Sequence, residues 1–237
     1  MSSYGYDLIP ENEDMLLDLP FYEDIGTITR DQAKPHHQDV DLILTPTWDS
    51  VASGLGVITL DGLTNEYLNL ANANCVDLDF TIGDYSIGGW MNWSSGDLSQ
   101  IILGRYELDV SGWEVYLTET GALRYLSLRH HHAAGTAVRT ACYSLGWTQN
   151  TWCFFGISRS GIAAIHYKNG VALTTTHSVG GLEDIETCAE DLAIGIRYTK
   201  DANRYKGSQW RPRIWNKSLT ANEWLNIFER ERDFFGV

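Results

Sequence analysis

A chain of 237 residues, 43% hydrophobic and 20% charged, is long enough to bury the core of one large all-β domain without disulfide staples. Seventeen Lys and Arg against 31 Asp and Glu leave a net charge of −14, which argues against a nucleic-acid binder and against attachment to an anionic membrane. No apolar run approaches the roughly 18 to 20 residues of a membrane span, and MSSYGYDLIPENED reads as an acidic start with no signal peptide.

Residues 1–13 read as a flexible N-terminal arm and 14–237 as a single domain. Glu13 to Tyr22 is expected to form the first strand, with Pro20 at a sheet edge or strand end, and Thr29 to Ser53 is expected to be irregular. Gly56 to Leu63 and Glu66 to Leu70 are short strands meeting at a turn around Thr64 and Asn65. In the alternating segment Asp84 to Trp93, Gly88 and Gly89 suggest a bulge or a close backbone approach. Gln100 to Arg105 follows, then a hairpin through Glu119-Thr120-Gly121. Thr151 to Ser158 leads into Ile162 to Lys168, and Asn169-Gly170 opens a further hairpin into Val171 to Thr176. Leu192 to Tyr198 and Gln209 to Trp215 close the β series. Strands recurring every ten or so residues point to a sandwich or barrel. One helix is expected, from Thr220 to about Phe234, because Thr220 and Glu223 form a capping box ahead of an apolar stripe.

The order of these pieces resembles a laminin-G-like jelly roll of the concanavalin A-like lectin/glucanase superfamily. The resemblance is carried by LDLPFYED, PTWDSVASGLGVITLDGLTNEYLNL, DYSIGGWM, GWEVYLTETGALRY, TWCFFGISRSG, IHYKNGVAL, LAIGIRYTKD and RPRIWNKSLTANEW. It implies an all-β, antiparallel two-sheet jelly-roll sandwich with one C-terminal helix. The LPFYE opening, the PTW…SGLGV…LDG segment and the capped helix finishing in ERDFFGV also resemble stand-alone virion-surface proteins, of the decoration or fibre-associated type, from tailed bacteriophages and related viruses. That likeness implies a virion-surface location, a capsid or fellow virion protein as partner, and a homo-oligomer, with a trimer favoured because decoration proteins occupy threefold positions.

The resemblance to glucanases makes catalysis the first question. A retaining site needs a nucleophile and an acid about 5 Å apart on one face. The nearest match, Glu107-Leu108-Asp109-Val110-Ser111, puts a serine where the third carboxylate belongs, so no enzyme activity is expected. His130 and His132 alternate onto one face of a strand but lack an evident third ligand, and His36-His37 reads as loop. No metal site and no cofactor are expected; because jelly-roll relatives carry calcium, one such ion stays open, with Asp77, Asp79, Asp201 and Asn203 as oxygen donors. The scattered Cys75, Cys142, Cys153 and Cys188 read as buried thiols. Trp90, Trp113, Trp152 and Trp215 are expected between the sheets. Trp93, Trp147, Tyr198 and Tyr205, in or beside loops, and Tyr4 and Tyr6 in the arm are the candidate glycan or interface contacts. A carbohydrate-binding lectin-like module is the alternative reading, and a degenerate glycoside hydrolase the second.

Overall fold

The structure, a computed structural model, describes residues 9–34, 39–120, 123–131, 137–143, 146–178 and 180–237. Two antiparallel sheets face each other. The first runs β14 (Val171–Ala172), β13 (Ala163–Lys168), β12 (Cys153–Ser160), β7 (Tyr85–Trp93), β17 (Lys206–Trp215), β5 (Gly56–Asp61) and β4 (Thr47–Ser50). β1 (Met15–Asp18) also pairs with β17, beyond the stretch that pairs with β5. The second sheet runs β15 (Thr175–His177), β11 (Ala137–Tyr143), β10 (Leu123–His131), β9 (Ser111–Thr120), β8 (Ser99–Glu107), β16 (Leu192–Ile194), β6 (Tyr67–Leu70), β3 (Val40–Ile43) and β2 (Ile28–Thr29). No helix among the described residues is long and apolar enough to cross a membrane.

Most turns follow from local chemistry. Asn169 and Gly170 both have positive φ, at 49° and 75°, which is the backbone a two-residue hairpin needs, and Lys168 pairs with Val171 across it. The Asp61 carboxylate accepts from the Leu63 and Thr64 amides at 2.7 and 2.9 Å and sets the turn into β6. Three expectations need correction. The segment expected to be irregular contributes β3 and β4, with Val40 and Leu42 buried and Asp41 exposed. Val171 to Thr176 is split, since β14 stays in the first sheet while β15 joins the second. Ile9 to Glu13, assigned to the arm, is docked: the Trp215 indole donates to the Glu11 carbonyl at 2.6 Å and Arg230 pairs with Glu11 at 2.9 Å.

The single α-helix, α1 (Ala221–Glu231), starts at the expected capping box, with the Glu223 amide donating to Thr220 Oγ1 and the Thr220 amide to Glu223 Oε2. It packs on the outer face of the first sheet. Gly88 and Gly156 make room for it: a Cβ on either would stand 2.6 or 2.8 Å from the Trp224 indole. Backbone approaches here as well, as expected: a Cβ on Gly88 would also stand 2.8 Å from the Phe155 carbonyl oxygen and one on Gly89 3.1 Å from that of Arg211, while the bulge lies in β17, between Trp210 and Arg213. Trp113 packs in the interior with Phe80 and Tyr85, as expected. Trp90 and Trp215 instead lie beneath the helix, against Phe228 and Trp224.

A buried ionic knot fixes the end of α1. Arg213 forks onto the Glu231 carboxylate at 2.8 and 2.9 Å, and Trp90 Nε1 donates to it at 2.8 Å. Arg211, on the bulge, bridges Glu231 at 3.0 Å and Asp18 at 2.8 and 2.9 Å. Such forked pairs fix orientation as well as charge.

Candidate functional site

Beyond the knot, the short turn Arg232–Phe234 leads the chain back over the first sheet. Phe235 wedges against Trp90, Trp152 and Trp210, with ring centroids at 4.1, 4.6 and 5.5 Å. Ser53 Oγ donates to the Phe234 carbonyl at 2.9 Å, tying the loop after β4 to this tail. Between them lies a cleft of about 610 Å³. β4 contributes Asp49 and Ser50, its following loop Val51, Ala52 and Ser53, and the central strands Val57, Asn92 and Ser208. Trp152 and the tail from Asp233 to Gly236 complete it. The wall is thus aromatic on one side and hydroxyl, amide and carboxylate on the other. Trp152 is half-buried and Phe234 is 44% exposed, so apolar surface faces solvent here.

The aromatic residues nominated from the sequence sit elsewhere. Trp93, Trp147 and Tyr205 are 0%, 1% and 0% exposed, which corrects their placement on the surface. Trp93 ends β7 on its inward face, Trp147 lies under the Lys168 ammonium, and Tyr205 donates to the Ser208 carbonyl. Tyr198 is half-buried, edge-on to Tyr106 at 6.1 Å. Tyr4 and Tyr6 lie outside the described residues, as do His36, His37 and His132.

The carboxylate run does not share one strand. β8 ends at Glu107 and β9 begins at Ser111, which pairs with Glu107 across the hairpin, while Asp109 turns at φ 60°. Asp109 instead meets His131 Nε2 at 3.6 Å. Glu114 is buried and held by Arg129 at 2.9 Å, and that guanidinium lies over the Tyr116 and Tyr106 rings. Burial pushes the Tyr106 phenol up to about 12, although Arg129 pulls the other way. His130 faces the interior, bonded to the Tyr85 hydroxyl and the Glu183 carbonyl. Burial lowers its pKa to about 4, so it sits there neutral.

The nominated oxygen donors are dispersed. Asp79 pairs with the buried Arg105 and accepts from the Cys188 amide, whereas Asp201 accepts from Thr199 and Asn203 donates to the Ser99 carbonyl. Among the described residues no three His, Cys, Asp or Glu side chains are grouped to hold a metal ion. Cys75, Cys153 and Cys188 are free and buried, and burial raises all three thiols, Cys153 to about 12.

Residues 62–223 match the family described as the concanavalin A-like lectin/glucanases superfamily (Laminin_G_3). No curated protein matches the sequence. Among solved structures the fold is similar to the binding domain of Paraclostridial Mosquitocidal Protein 1, at 12% identity and a TM-score of 0.73, covering 95% of this chain and 56% of that one. It is likewise similar to the binding domain of botulinum neurotoxin serotype D, at 15% identity and a TM-score of 0.70, covering 93% and 52%. The botulinum neurotoxin type G receptor binding domain gives 13% identity and a TM-score of 0.69, with 92% and 52% covered. This chain spans about half the length of these structures, and at such identities the likeness is one of fold.

Proposed function

The chain belongs to the concanavalin A-like lectin/glucanase superfamily, and from that premise we propose that it is a non-catalytic recognition module holding a carbohydrate in the cleft beside its C-terminal tail. Membership alone leaves lectin and glucanase equally open. Against hydrolysis stands the geometry of the acids: Glu107 and Asp109 are parted by a turn, and Glu114 is neutralised by Arg129. Asp49 and Asp233 in the cleft are both exposed.

The observation that carries the reading is the cleft's mixed wall. A sugar ring offers an apolar C–H face and a rim of hydroxyls. Trp152 and Phe234 match the face, and Asp49, Ser50, Asn92 and Ser208 match the rim. A virion surface, reached as a homo-oligomer with a trimer favoured, is the setting we propose; its support is the resemblance of the LPFYE and ERDFFGV ends to decoration-type proteins.

Titrating the full chain with an oligosaccharide panel, read by tryptophan fluorescence, tests the site. Trp152→Ala should weaken the binding ligand by about tenfold or more, the usual loss for an aromatic anchor. Unchanged affinity in that variant, or no ligand across the panel, would overturn the proposal.

A further inference from the structure

We infer, building on the sugar-binding reading of the cleft, that its ligand is an amino sugar with a free, protonated amine. The lining contains two carboxylates, Asp49 and Asp233, and no Lys, Arg or His. Neither carboxylate is in an ion pair among the described residues; Asp49 accepts only its neighbour's amide, Ser50 N, at 2.7 Å.

Two basic side chains near the lining in the chain are committed elsewhere, and Lys206, two residues before Ser208, is not part of the lining. Arg232 turns back to the Val237 carbonyl at 2.6 Å and to Glu229 at 3.2 Å, with its guanidinium over Phe228. Arg211 is held between Asp18 and Glu231. An acidic sugar would therefore meet repulsion that no lining cation offsets, and repulsion excludes ligands as effectively as attraction selects them. A cationic sugar meets the opposite. Asp49 and Asp233 on the cleft wall supply the opposite charge, and the half-buried Trp152 ring adds attraction for a cation. The net charge of −14 extends that preference beyond the cleft at low salt.

The experiment compares three oligosaccharides by calorimetry on the full chain at low salt and slightly acidic pH: a glucosamine oligomer, its fully N-acetylated counterpart, and an oligogalacturonate. The glucosamine oligomer should bind about fivefold or more tighter than the acetylated one, with an affinity that falls as salt rises, and the oligogalacturonate should not bind. Asp49→Asn with Asp233→Asn should erase that preference, so that the glucosamine oligomer and its acetylated counterpart bind the variant alike; both positions are exposed, and a thermal melt checks the fold. Equal or tighter binding of the acetylated oligomer would overturn the amine while leaving the sugar site standing. Failure of all three to bind would remove the sugar site itself.

Discussion

Glu231→Gln is the most informative single change, because it removes one charge from the knot with almost no change in volume. The carboxylate accepts from both Arg213 Nη atoms, from Arg211 Nη1 and from the Trp90 indole, at 2.8 to 3.0 Å. Glutamine has a single acceptor oxygen and must aim an N–H at one of these donors. Arg211 keeps Asp18, whereas the buried Arg213 loses the partner of its charge. Orphaning one member of a buried pair costs about 3–5 kcal/mol. At about 2–4 °C per kcal/mol for a domain of this size, the melting temperature should fall by about 6–20 °C. Urea titration and calorimetry measure both quantities. Arg213→Met with Glu231→Leu should recover most of the loss, since an apolar pair leaves no buried charge behind. A Glu231→Gln protein within about 0.5 kcal/mol of the parent would refute the knot, that being the range of ordinary surface substitutions. A double variant as damaged as the single one would refute the orphaned charge as the cause.

Three further expectations rest on separate observations. Gly156→Ala drives a methyl to within 2.8 Å of the Trp224 ring and should destabilise by about 1–3 kcal/mol, whereas the same change at the exposed, positive-φ Gly161, with nothing within 4 Å, should cost only backbone strain of about 1 kcal/mol. Iodoacetamide should label at most one thiol in the native protein, because Cys75, Cys153 and Cys188 are buried with raised pKa, and four after denaturation; fast labelling of two or more would contradict their burial. His130 and His166 are held neutral by burial, at about 4 and about 3 against 6.5 for an open imidazole. Above pH 7 neither state takes the proton, whereas below 6.5 the unfolded chain binds one that the native site refuses. Their contribution is therefore complete above about pH 7 and is lost as pH falls toward about 4 for His130 and about 3 for His166. Urea midpoints should fall over that window, and a flatter profile in His166→Asn than in the parent would confirm the source; identical profiles would exclude it.

The parts of the fold that were legible in the sequence are those specified within a few residues. Asn169-Gly170 needs only its own two positive φ angles, and Thr220 needs only Glu223. β3 and β4 were not legible because their partners are distant. Each is four residues long, too short for alternation to stand out, and becomes a strand by pairing with β6 and β5. The alternation of β7 contains a signal that outweighs the loop residues after it. Ile87, Met91 and Trp93 recur on odd positions of a single strand, so Trp93 belongs to the interior face, although the following Ser-Ser-Gly suggested a loop.

The site was hidden for the opposite reason to the turns. Its two walls meet through Ser53 and Phe234, separated by 181 positions, so no local spacing relates Asp49 to Asp233. Trp152 looked like core because Cys153 and Phe154 after it are core; it is half-exposed only because Phe235 folds back upon it. That fold-back depends in turn on Glu231, where Arg211 and Arg213 stop the helix over the sheet. The cleft is therefore a consequence of the ionic knot, and loosening the knot should disturb ligand binding without any change in the lining. In Glu231→Gln, held at a temperature where it is still folded, oligosaccharide affinity should fall while Trp152, Asp49 and Asp233 remain intact. Parent-like affinity in that variant would mean that the tail holds its place through the stacking of Phe235 on Trp90 and Trp152 alone.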